Sequence, residues 1–213
     1  MLREVISNEW FTILIVLCIA TLAVAKYIFT RRFHDFISII GSPKYLKIYA
    51  REQKFVDQFD ALLFINLIIS LSIFSFIAYR TLVGNVVFEI TLFLKILIGI
   101  GAIILIKVLL ERLIASIFEI DALIDNYIFQ KTNYKNYIGF LLLPINIILI
   151  YSIESSRILI FIIISLLFLV NLMGFFTSLR TNQKLIVGNL FYFILYLCAL
   201  EIGPYVILYK VLN

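Results

Sequence analysis

From Leu185 to Leu212 the chain is predominantly apolar, with one interruption at Glu201-Ile202-Gly203-Pro204. A helix needs about 20 apolar residues to cross the hydrocarbon of a bilayer, and there every backbone polar group must be bonded within the segment. A run of this length therefore points to a membrane-spanning helix. Glu201 inside it costs about 2.5–3.5 kcal/mol on insertion scales, so it requires a partner, a proton or a water-filled cavity. Pro204 has no N–H to give the carbonyl of Leu200, and Gly203 lets the helix bend and a neighbour come close. Gly203 and Pro204 are read as a helix kink.

Similar runs recur along the 213 residues. The chain is 63% hydrophobic and 15% charged, against about 45–50% and 25% in soluble domains. The expected fold class is all-α: a polytopic membrane helical bundle forming a single integral membrane domain over residues 1–213. Six transmembrane helices are expected at about 10–29, 61–79, 86–108, 137–152, 157–179 and 186–211. A cytoplasmic interfacial amphipathic helix (43–58) and a cytoplasmic extension of the third transmembrane helix (109–129) complete it. Ala23-Val24-Ala25 resembles a signal cleavage site, but Arg3 is offset by Glu4 and Glu9. The first segment is therefore read as a retained span. Cys18 and Cys198 both fall in expected spans and His34 is the only histidine. No metal site and no cofactor are expected.

The net charge of +5 is read as a membrane signature and not as a nucleic-acid footprint, because the basic residues flank spans. Lys26, Arg31, Arg32, Lys44, Lys47, Arg51, Lys54, Lys107, Arg112, Lys131, Lys135, Arg180 and Lys184 fall on one side. Arg3, Arg80, Arg157 and Lys210 fall on the other. Cytoplasmic loops carry the Lys/Arg excess, so both termini are expected to face the periplasm.

The helix expected at 43–58 has Ser42 as its cap and Pro43 at its first position. Tyr45, Ile48, Tyr49, Phe55, Val56 and Phe59 fall on one face. Lys44, Lys47, Arg51 and Lys54 form an interfacial basic face towards anionic headgroups, or a helix packed beneath the bundle. Beyond Lys107 an apolar stripe continues to Ile128, accompanied by a cytoplasmic acidic face of Glu111, Glu119, Asp121 and Asp125, which is expected to pair with the complementary basic helix or to present a separate surface to another protein. Gln130 to Asn136 is read as a polar connector.

With alternating spans, Lys95 and Glu201 reach similar depths, each about nine residues, or roughly 13 Å, from the outer surface. They are expected to pair, with Glu89 sharing Lys95 or snorkelling outward. Such a pair is a structural lock between the third and sixth helices, a translocation path, or a contact to a partner subunit. Asn66, Asn146 and Asn171 are read as interhelical hydrogen-bonding groups. No catalytic triad, HExxH metal site or phosphate loop occurs.

Glu111-Arg112-Leu113-Ile114, the stretch from Asn136-Tyr137-Ile138-Gly139 through Leu143-Pro144, and Tyr196 to Pro204 together resemble a family of bacterial inner-membrane proteins catalogued as a domain of unknown function. The resemblance covers mainly residues 110 to 213. It implies a Gram-negative inner membrane and carries no activity or binding residues with it. The function expected is non-enzymatic: an accessory or scaffold subunit with protein partners in the membrane and no nucleic acid. A small proton- or ion-coupled carrier using Lys95 and Glu201 is the alternative.

Overall fold

A computed structural model describes residues 9–39, 44–49, 57–84, 88–118, 120–152, 155–181, 183 and 210. Seven α-helices are delimited among these residues: α1 (Glu9–Ile28), α2 (Thr30–Ile37), α3 (Lys44–Tyr49), α4 (Gln58–Val83), α5 (Ile90–Ile117), α6 (Asp121–Tyr151) and α7 (Arg157–Thr181). Five of them, α1 and α4 to α7, are long and apolar enough to cross a membrane. The expected sixth span, with Glu201, Gly203 and Pro204, lies, but for Lys210, outside the described residues.

α4 is the centre. Of its most apolar window 56% is buried, against 11% for α5 and 17% for α7. Its neighbours are α6, α1 and α5, with α7 packed mainly on α6. Paired residues fix the directions. Phe11 meets Phe76, Cys18 meets Ser70 and Phe29 meets Phe59, so α1 runs antiparallel to α4. Gly139 lies against Leu67, Asn146 against Ser70 and Ser155 against Thr81, so α6 runs parallel to α4. The intervening α5 returns the chain between them. Lys26, Arg31, Arg32, Lys107, Arg112, Lys131 and Arg180 thereby collect at one end, called here the basic end.

Local chemistry sets the helix limits. Asp57 is extended (φ −101°, ψ 128°) and its side chain accepts from the Phe59 N–H, capping α4; such caps are worth about 1 kcal/mol. Gly84 ends α4 with φ +117°, which side chains other than glycine rarely tolerate.

Three expectations are corrected. Of the interfacial helix expected over 43–58, the described residues hold α3 (Lys44–Tyr49), and Gln58 opens α4 instead of closing that helix. Aspartate competes poorly for a helix interior and well for a cap, so Asp57 marks the start of α4. Tyr45 and Leu46 of α3 are buried in the core, as is Phe59, which belongs to α4. The side chains of Lys44 and Lys47, and all of Arg51 and Lys54, lie outside the described residues. Just upstream, the piece after Arg31 is itself helical: α2 turns Phe33 and Phe36 inward.

The cytoplasmic extension over 109–129 is not one helix. α5 stops at Ile117, the Phe118 N–H bonds back to Ile114 O, and α6 starts at Asp121. Residues 121–129 are the first turns of α6, which continues through the expected polar connector and past Pro144 to Tyr151. Gln130, Asn133 and Asn136 are polar but buried. Polarity suggested a loop; tertiary burial makes the segment a helix.

Candidate functional site

At the basic end two charged joints tie helices together. The first is built on Arg32 of α2. Its guanidinium donates to Asp57 and, at 3.3 Å, to Asp60, so it bridges two acids one helical turn apart at the start of α4. The planar cation lies 4.7 Å from the centroid of the Phe59 ring and 5.1 Å from that of Tyr49, a placement that lysine could not reproduce. Arg32 Nε also donates to the Tyr45 hydroxyl (3.4 Å), which donates to Asn133 Oδ1 of α6 (3.2 Å). Asn133 Nδ2 returns to the carbonyl of Phe129 (2.9 Å). One network therefore links α2, α3, α4 and α6. Burial pushes the Tyr45 phenol well above its ordinary range, with Asp60 adding to the effect. The hydroxyl keeps its proton and its role as donor. Tyr49 donates to Asp35 (3.2 Å) and locks α3 onto α2.

The second joint connects α5 and α6. Lys131 Nζ donates to Glu111 Oε1 at 2.7 Å, with Glu111 only 1% exposed. The ammonium also sits 5.5 Å from the centroid of the Tyr127 ring. A turn away, Arg112 Nε lies 3.8 Å from Asp125 Oδ1. Glu111 and Asp125 thus pair with basic residues across the α5–α6 turn, where the sequence suggested docking against the basic helix or a partner. Asp121 is exposed, and Glu119 lies outside the described residues. Beside this joint a small, shallow cleft opens between α6 and α7, with Lys131, Asn171 and Ser178 among its lining. Gly174 forms its floor: a side chain there would meet the Tyr134 ring at 2.5 Å.

Within the apolar part of the bundle, Asn146 Nδ2 donates to the carbonyl of Ser70 at 2.8 Å, joining α6 to α4. Asn66 is fully buried on α4, while Asn171 is exposed on α7. Lys95 is exposed on α5, and Glu89 stands exposed at the N-cap of that helix without a side-chain capping bond. The pairing of either with Glu201 falls outside the described residues. Among the described residues no three His, Cys, Asp or Glu side chains converge as a ligand set.

Reading the sequence assigned Arg32 only a part in orientation and passed over Asp57 and Asp60. A signal was present. Two acids three residues apart directly before an apolar run mark a helix start with a face for a cation.

Packed apolar helices with ion pairs gathered at one end define a multi-pass α-helical membrane protein. More particularly, the chain belongs to the family described as "Domain of unknown function (DUF4271)", which matches residues 11–212. No curated protein and no solved structure matches the chain.

Proposed function

We propose that this protein is a non-enzymatic bacterial inner-membrane protein that serves as an accessory or scaffold subunit of a larger membrane assembly, such as a secretion or motility machine. In this reading residues 186–211 supply a sixth crossing, both termini face the periplasm, and the basic end lies in the cytoplasm against anionic headgroups. One observation carries the reading. The charged groups that the fold gathers are spent on one another: Arg32 on Asp57 and Asp60, Lys131 on Glu111, and Arg112 on Asp125. Such joints hold helices in register and leave the long apolar faces of α5 and α7 for lipid or for partner helices. Ile98, Ile103 and Leu109 on α5, and Ile158, Phe161 and Phe168 on α7, are exposed.

The test is to crosslink the tagged chain in native membranes, extract it in mild detergent, and determine particle mass and composition. A stoichiometric second polypeptide is expected, released when bulky polar residues replace Ile103 and Phe168. A particle containing only this 24.7 kDa chain refutes the proposal.

A further inference from the structure

The interior between α1, α4 and α6 holds more polar groups than its own hydrogen bonds employ. Asn66 and Asn136 are each 0% exposed. Neither the amide oxygen nor the amide nitrogen of either residue has a partner among the described residues. The same is true of Asn146 Oδ1 and of Asp60 Oδ1. A buried amide with nothing to bond is strongly unfavourable, and two such side chains in one core call for a ligand that both donates and accepts.

These groups fall on a common path. Ser70 stands at the junction of three helices, its hydroxyl facing the Cys18 thiol of α1 at 3.7 Å and its carbonyl accepting from Asn146 of α6. Asn66 is one turn earlier on the same face of α4. Asn136 lies one turn before Gly139, where an added Cβ would run into the backbone of Leu67, the neighbour of Asn66. With α4 and α6 parallel, the two asparagines differ in level by only about 3 Å. Asp60 is about 9 Å nearer the basic end than Asn66, and its side chain is 22% exposed. Towards the far end the path meets Phe11, Phe76 and Phe88, whose ring centroids are 4.8 to 5.7 Å apart.

We propose that Asn66 and Asn136 hold a file of bound water molecules between α1, α4 and α6, entered past Asp60 at the basic end and closed at the far end by the rings of Phe11, Phe76 and Phe88. Water suits the site because each molecule takes 2–4 polar partners of either sense, which two free amides, a carboxylate oxygen and the Asn146 oxygen supply. The arrangement is a one-sided aqueous inlet ending near Cys18. It does not depend on the accessory-subunit reading above.

X-ray radiolytic labelling generates hydroxyl radicals from bound water in place, and mass spectrometry locates the products. It applies to the full chain in lipid nanodiscs. After correction for intrinsic reactivity, Cys18, Leu63 and Leu67 are expected to label several-fold faster than Phe76 and Phe93, which are equally buried in the far-end ring cluster. An Asn66→Leu/Asn136→Leu variant should reduce labelling of Cys18 several-fold. Equal labelling of the two groups in the unmodified chain overturns the proposal, and this comparison stands even if the variant does not fold. A folded variant with unchanged Cys18 labelling overturns the assignment to the two amides.

Discussion

The same substitution at two glycines should move stability in opposite directions. A Cβ on Gly139 would lie 2.5 Å from Leu67 Cα and 3.1 Å from Leu67 N, both backbone atoms of the central helix. Carbon atoms sit about 3.5–4.0 Å apart at their optimum, so Gly139→Ala drives α6 away from α4 by about 1 Å. A gap of about 0.5–1 Å already forfeits a quarter to a half of the dispersion energy of the atoms facing it. Here it opens along the most extensive helix pair among the described residues. Overpacking of this kind costs about 1–3 kcal/mol. Gly99, in the middle of α5, has nothing within 4 Å of the position a Cβ would take. Gly99→Ala therefore removes only the conformational freedom of glycine, a gain of roughly 0.5–1 kcal/mol. The two variants should differ by roughly 1.5–4 kcal/mol, with the unmodified chain between them. Reversible unfolding of the detergent-solubilised chain by SDS titration, followed by circular dichroism, measures the difference. If Gly139→Ala is as stable as the unmodified chain, the close α4–α6 crossing is wrong, and with it the helix arrangement that defines both charged joints.

Removing Lys131 by Lys131→Met leaves the Glu111 carboxylate buried without its cation and should cost about 3–5 kcal/mol, whereas Lys131→Met/Glu111→Gln should recover most of that loss; SDS unfolding of the full mutant cycle measures both. Arg32→Lys keeps the charge but loses the bridge across Asp57 and Asp60 and the stacking on Phe59. It should destabilise by about 1–3 kcal/mol, and a thermal melt unchanged from the parent would refute that network. Asn146→Leu deletes the bond to the Ser70 carbonyl and is expected to cost about 0.6–1.7 kcal/mol, measured in the same titration. Reporter fusions at residues 8 and 213 should both be active on the periplasmic side; a split result would disprove the six-crossing topology.

Hydropathy by itself determined that this is a helical membrane protein, and it located α1, α4, α5 and α7. The preference of a long apolar stretch for hydrocarbon is summed over neighbouring residues, so it is written locally in the chain. The first half of α6 was not legible in that way. Gln130, Asn133 and Asn136 are polar, and their buried state follows from tertiary packing, with Tyr45 of α3 bonded to Asn133 and α6 packed along α4. Nor could the sequence say which acid each cation would choose. Glu111 looked available to a distant basic helix, but the break at Phe118 folds Lys131 back onto it. Arg32 finds Asp57 and Asp60 only because α2 turns beneath α1 and lays its guanidinium on the first turn of α4. Partner choice is a property of distances between segments far apart in the chain, and those distances exist only once the helices have packed.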